Sequence, residues 1–334
     1  MKTGFFLNTV FDSLEYIENP FKLKKFDTAF FFEANTTPIE NSEIDYEYAW
    51  KFLYSYNGST ATFNAYRREI ERILLWSWHI QLTSILNLRR EDIEAYMAFC
   101  VSPPEHWIGL KNVARFKLKH GERIQNPDWR PFVVNVKKDD ARQGVKPTAK
   151  DYIFSQSGIQ ATFSILSSFF NFLIQEEVAT MNPVALIRQK SKFTVKQQHQ
   201  SPVRRVSNLQ WEYVIDTIEQ LANTDPDKHE RSLFILNALF SLYLRISELV
   251  ADERSIPVMS DFRKDVDGNW WLHVTGKGNK SRIITVSEEM LDSLKRYRRF
   301  LGLSPLPIMD DSSPILPKII GKGPITSTRI VRSI

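Results

Sequence analysis

Leu244-Arg245-Ile246-Ser247-Glu248-Leu249 and Thr275-Gly276-Lys277-Gly278-Asn279-Lys280-Ser281-Arg282 are the stretches whose reading decides the fold of this chain. The first sets one arginine in a nearly all-apolar run, where an unpaired charge is costly. The second is a basic, glycine-rich turn between two runs of strand character, Trp270-Trp271-Leu272-His273-Val274 and Arg282-Ile283-Ile284-Thr285-Val286. Gly276 and Gly278 admit backbone conformations closed to other residues, so Lys277 can be aimed rather than left free in solvent. Together the two stretches describe a built-in phosphate site. The plain alternatives are an ion pair from Arg245 to Glu248 one turn later and a hairpin turn carrying solubilising lysines. The glycines lack Walker spacing, and the turn joins two strands instead of opening a helix, which argues against a nucleoside triphosphate site.

Working outward, the pattern is mainly helical with a small β-hairpin. Ser207 or Asn208 caps a helix to about residue 221, and Asn223-Thr224-Asp225-Pro226 makes a turn. A long apolar helix is then expected over 228–251, with Arg245 inside it. Upstream, Ser59 or Thr60 caps a helix running to about residue 78. There Phe63, Tyr66, Ile70, Ile73 and Leu74 recur at three- and four-residue steps, leaving Arg67, Arg68, Glu71 and Arg72 on other faces as a basic flank. Further helices are expected over 90–99, 158–177 and, after Asn182-Pro183, to residue 188. The connection over 103–150 is long for a compact domain. It reads equally as a nucleic-acid contact loop or as a packed flap.

With 334 residues, the chain can form two domains with ordinary cores, and its net charge is mildly basic at +5. The basic residues are unevenly spread. Between Val184 and Val206 stand Arg188, Lys190, Lys192, Lys196, Arg204 and Arg205 with no acidic residue, a composition expected of an exposed linker or a solvated charge run. Cys100 is the single cysteine, so no internal disulfide can form, and no structural zinc spacing is present. The first residues lack a signal-peptide pattern, and no stretch reads as a membrane span, so a cytoplasmic protein without membrane partners is expected.

At these residues the chain resembles the tyrosine recombinase, or phage integrase, family. That family has Arg-x-x-Glu-Leu followed by a hairpin with Gly-Lys-Gly-x-Lys-x-Arg, matched here by Arg245, Glu248 and Leu249, then Gly276, Lys277, Gly278, Lys280 and Arg282. Thr62-Phe63-Asn64-Ala65-Tyr66-Arg67-Arg68-Glu69 resembles the first helix of the family's core-binding domain. The resemblance implies an N-terminal extension over 1–45, a helical, SAM-like core-binding domain over 46–190, a basic linker over 191–206 and an α+β catalytic domain over 207–334. It implies that Arg245 holds a non-bridging oxygen of the scissile phosphate, that Lys277 acts as general acid toward the departing 5′ oxygen and that Glu248 orients the site. A tyrosine in the family forms a 3′-phosphotyrosine, with no metal and no nucleotide cofactor. The DNA contacts expected from it are Arg67, Arg68, Arg72, Arg204, Arg205, Lys280 and Arg282, and the partners are double-stranded DNA and further copies of the chain, as a tetramer on DNA.

Two departures from the family pattern stand out. His-x-x-Arg, a further His or Trp, and the tyrosine nucleophile are expected downstream of the hairpin and do not occur before Ile334, so the chain is read as a fragment that binds DNA without completing strand transfer. Tyr297, the one later tyrosine, falls on a helix that is structural in the family. Leu242-Tyr243 stands where the family often has Thr-Gly. The alternative function is a non-catalytic DNA-binding protein, or a truncated regulator occupying recombination sites.

Overall fold

The computed structural model describes residues 7–16, 39–136, 144–185, 187, 193, 206–252, 255–276, 280–326 and 328–331. It is mainly helical with small sheets, and it divides into two compact units, Met1–His199 and Gln200–Ile334.

In the first unit, helices α1 (Ser42–Tyr54), α2 (Thr60–Trp76), α3 (Arg90–Val101) and α4 (Gln156–Gln175) enclose one core. The sequence starts these helices where the chemistry asks. Ser59 Oγ accepts from the Thr62 N–H and Ser155 Oγ from the Gly158 N–H, each satisfying a donor that the first helical turn leaves unpaired. Phe63, Ile70, Ile73 and Leu74 of α2 are buried, as their spacing requires, and meet Phe52 of α1 and Phe163, Leu166 and Phe169 of α4 in that core. By length and composition α4 is apolar enough to cross a bilayer, against the expectation that no stretch is. Its apolar residues have another use here, since Ile159, Phe163, Ile165, Leu166, Phe169, Phe170 and Leu173 are all buried in the core.

The basic flank expected on α2 is not a free surface. Arg67 and Arg72 are each 8% exposed and Glu71 is 1% exposed, because residues 7–16 and the connection over 103–150 pack across this face. The Val10 N–H donates to Glu71 Oε1 at 2.7 Å, and Arg67 Nη1 donates to the Asp12 carbonyl at 2.6 Å. Of the two readings of the long connection, packing is what the structure displays. Trp107, Trp129, Phe132 and Val134 are buried, β1 (Ile108–Gly109) pairs in parallel with β4 (Phe132–Val133), and β2 (Phe116–Lys119) and β3 (Glu122–Gln125) form a hairpin. The short helix expected to follow Pro183 lies partly outside the described residues.

In the second unit, α5 (Asn208–Thr224), capped by Ser207 Oγ, packs on α6 (Pro226–Ser241), and α7 (Glu288–Phe300) packs on α6 as well. A three-stranded antiparallel sheet joins β5 (Phe262–Lys264), β6 (Trp270–Thr275) and β7 (Ser281–Thr285) in the order β5-β6-β7. The hairpin of β6 and β7 is the one expected from the sequence, and β5 adds an unexpected third strand. Asp265 Oδ1 takes the N–H groups of Asp267 and Asn269, and Gly268 supplies the left-handed residue at φ 92°.

The long helix expected over 228–251 stops at Ser241, so Arg245 is not helical. Leu242 caps the helix, Tyr243 turns back at φ 49°, and a short 3₁₀ turn follows over Ile246–Glu248. The apolar run hid this break. Leu242 and Leu244 are both buried, and the chain reverses between them with the bulky Tyr243 side chain 86% exposed. A left-handed C′ residue is the usual helix stop, normally glycine, and this is the position where the family often has glycine. A tyrosine there carries a steric penalty of about 1 kcal/mol or somewhat more. Tyr243→Gly is therefore expected to stabilise the second unit by about 1 kcal/mol, read as a higher urea midpoint with an unchanged slope, and Tyr243→Val is expected to destabilise it.

Candidate functional site

The two stretches separated by about thirty residues of sequence meet at Glu248. Its carboxylate is 2% exposed and accepts four hydrogen bonds. Oε1 takes Arg245 Nη1 at 3.0 Å and Arg282 Nη1 at 2.8 Å, and Oε2 takes Arg282 Nη2 at 2.7 Å and the Arg245 backbone N–H at 2.8 Å. The ion pair to Arg245 anticipated from spacing is present, but it is one edge of a three-residue cluster with the charge balance on the basic side. The forked bond from Arg282 is the main cause that draws the Glu248 carboxyl down to about 2, with the Arg245 bonds adding to it.

Exposure is graded through the cluster. The side chains are 2% exposed at Glu248, 36% at Arg282 and 65% at Arg245. Arg282 is turned inward as a support, its fork matched to the carboxylate. Arg245 is anchored by one nitrogen and by its own backbone, and the rest of its guanidinium faces outward. Gly276 belongs to the same arrangement for a reason the sequence did not disclose. It is absent from the glycines with positive φ, so backbone freedom is not its role. A Cβ built there would lie 2.8 Å from Glu248 Oε1 and 3.3 Å from Arg282 Nη1, so the residue is small because the carboxylate passes over it.

The hairpin tip is closed by the Gly276 N–H donating to the Lys280 carbonyl at 2.9 Å, beside the last paired residues Thr275 and Ser281. Lys280 is exposed there, and Lys277, Gly278 and Asn279 lie outside the described residues. A cleft of about 270 Å³ beside the cluster is lined by Glu248, Asp261, Arg263, His273, Thr275 and Ser281 among others. Asp261 and Arg263 were not singled out in the sequence; the only signal was the three-residue β5, too short to show a period. Tyr297 is fully buried, its ring stacked on Phe234 at 4.2 Å, and burial pushes its hydroxyl up to about 12, so it is a core residue.

The remaining expected contacts are placed as follows. Arg68 is 56% exposed at its side chain, whereas Arg72 is spent on Glu69 and on the Pro131 carbonyl, with its guanidinium 4.6 Å from the centre of the Phe132 ring. Arg67 is buried, and Arg204 and Arg205 lie outside the described residues. Among the described residues, no group of three or more His, Cys, Asp or Glu side chains could hold a metal ion.

The sign of the Glu248 shift sets a pH dependence. A carboxyl drawn from 4.5 to about 2 contributes stability that is present above the unfolded value and is lost as pH falls through the folded one. Glu248→Gln is expected to cost about 3 kcal/mol near neutral pH. The gap between variant and parent should close as pH falls from about 4.5 toward about 2, which urea titrations at stepped pH would follow. A gap that stays constant with pH would remove the carboxylate's charge from the account.

No protein-family model matches the chain. It is 24% identical over 211 residues to a tyrosine recombinase XerC of Chlorobaculum parvum, covering 60% of this chain and 56% of that protein. It is 27% identical over 164 residues to a tyrosine recombinase XerD of Rickettsia bellii, covering 49% and 50% respectively. The chain therefore spans about half the length of these curated relatives. Among solved structures it is similar to a lambda integrase dimer bound to a COC′ core site, at a TM-score of 0.42 and 13% identity over 80% of this chain and 57% of that one. It is also similar to the XerH recombinase bound to a palindromic difH substrate, at 0.41 and 11% over 87% and 64%. Structural likenesses this low carry no weight of their own. In its paired motifs and its sequence relatives, the chain is similar to the tyrosine recombinase family.

Proposed function

We propose that the second unit is the phosphate-activating part of a site-specific DNA recombinase, one that cleaves and rejoins duplex DNA through a 3′-phosphotyrosine. The observation that carries this is the Glu248 cluster, in which a buried carboxylate fixes Arg245 while most of its guanidinium faces outward. Phosphoryl transfer needs positive charge already placed where negative charge develops, and a fork held at its base loses little freedom when it closes on a phosphate. Arg245 holds a non-bridging oxygen, Glu248 and Arg282 position it, and Lys277 gives a proton to the departing 5′ oxygen. Tyr297 is buried and is not the attacking tyrosine in this reading.

In this reading residues 46–190 form the DNA-clamping domain, 191–206 a basic linker and 207–334 the catalytic region. Arg68, Lys280, Arg204 and Arg205 contribute phosphate contacts that supply affinity without base recognition. The substrate is double-stranded DNA, the working assembly is a tetramer on it, and the compartment is the cytoplasm.

The test uses the protein encoded by the full reading frame and a nicked duplex, selected from a random pool by binding, that traps a covalent protein–DNA adduct. Arg245→Ala and Lys277→Ala are each expected to lower adduct formation by roughly 100-fold or more, while duplex affinity falls less than about tenfold, because one phosphate contact is a small share of the whole. Normal adduct yield in either variant would remove that residue from the chemistry. Tight, site-selective binding with no adduct in the parent would favour the non-catalytic DNA-binding reading.

A further inference from the structure

The first unit holds a cleft of about 440 Å³ on the face of α2 that the flanking segments cover. Its lining includes Arg67, Arg68, Arg72, Lys111, Arg115 and Arg130, and no acidic side chain. Two carboxylates lie behind this wall. Glu69, 3% exposed, is taken by Arg72, Arg68 and the Thr162 hydroxyl, and Glu71 is taken by Arg115 and by the Val10 N–H. Asp12 is outside the cleft lining and is paired with Arg123 at 2.7 Å, and its charge offsets only part of the burial of Arg67 and Arg115.

Guanidinium groups thus outnumber the carboxylates that could neutralise them. Arg67 is 8% exposed, its one hydrogen bond runs to a neutral backbone carbonyl, and its Nε is buried without a partner among the described residues. Arg115 Nε is buried in the same condition. Burial, with Arg67 as a like-charged neighbour, brings the Arg115 guanidinium down to about 9, and burial brings Arg67 down to about 10. A cation shielded from water is held at a cost unless an anion reaches it.

We propose that this cleft is a binding site for a phosphate-class anion, taken either as free phosphate or pyrophosphate or as a phosphodiester of a polynucleotide. Phosphate suits the site because its oxygens match the forked donors of arginine, and a doubly charged anion offsets the surplus of cations that a single carboxylate would not. Asn64, Asn112 and Asn135 at the lining add neutral donors for the remaining oxygens. The site consists of α2 and residues 111–135 of the connection together, so that stretch's packing on α2 and its basic residues serve one purpose.

The experiment is thermal melting of the 334-residue chain in sodium pyrophosphate against sodium chloride at matched ionic strength. Pyrophosphate is expected to raise the melting temperature of the first unit with the logarithm of its concentration. At a hundredfold excess over its Kd, the rise is roughly 5–10 °C, with no comparable rise in chloride. Arg67→Met should melt at or above the parent without added anion and lose the pyrophosphate response, because it removes a buried cation that makes no ion pair among the described residues. Lys111→Gln, at the exposed edge, should leave the anion-free melting unchanged and weaken pyrophosphate roughly tenfold. Equal responses to pyrophosphate and chloride would overturn the proposal, as would an Arg67→Met variant that melts below the parent yet keeps the response. Competition identifies the source of the phosphate. A short duplex that raises the apparent Kd for pyrophosphate makes the site a polynucleotide contact, and independent binding makes it a free-anion site. Only the duplex arm rests on the DNA-binding reading, so a protein that fails to bind duplex leaves the pyrophosphate result standing.

Discussion

A single buried carboxylate, Glu248, ties the turn that follows α6 to the β6–β7 hairpin. An ionised glutamate at 2% exposure is tenable only when its lone pairs are filled, and here four donors fill them. Arg282 supplies a parallel pair of bonds, which fixes direction as well as distance. The backbone N–H of Arg245 supplies another, so the carboxylate orients the main chain from which the Arg245 side chain departs. Gly276 completes the arrangement by leaving room where any β-carbon would strike the carboxylate. The exposed arginine is therefore placed by its neighbours, and little ordering remains for a bound phosphate to impose.

That placement depends on the helix stopping early. A helix continued through residue 249 would project Arg245 from the side that carries Leu242 and Leu249, both of them buried. Ending at Ser241 and turning through a left-handed Tyr243 lets Leu242 and Leu244 both reach the core of the second unit, while the chain is redirected toward the hairpin. The strained φ persists because those two leucines over-determine it. Stability is surrendered at one residue so that Glu248 can sit beneath the sheet.

Sequence reading reached the elements governed by local chemistry. Ser59 and Ser207 cap their helices through hydroxyl bonds that depend on residues three positions away. The pairing of the two motifs was legible, and the structure brings them together at Glu248. What was not legible depended on distant partners. The end of α6 was concealed because the run from Leu239 to Leu249 is nearly as apolar as a buried helix, and only contacts with the sheet decide where it turns. Arg67 and Arg72 read as a solvent-facing flank because the segments that cover them lie far away in sequence. The role of Gly276 was likewise assigned to backbone freedom, since a close approach by Glu248 leaves no local mark.

The two units solve opposite forms of one problem in charge. Glu248 faces two arginines, and the surplus positive charge is displaced toward Arg245, the most exposed of the three, where water can screen it until a ligand arrives. In the first unit Glu69 and Glu71 are likewise outnumbered, yet the surplus falls on Arg67, which the covering segments shut away from water. The solvent-facing surplus costs little to keep and gains modestly from an anion, whereas the enclosed surplus is costly to keep and gains more from the same anion. Affinity for a phosphate should therefore be concentrated in the enclosed cluster, and the exposed arginine is better suited to stabilising charge that exists only briefly, because a site that binds its ground state weakly has more to give to the transition state.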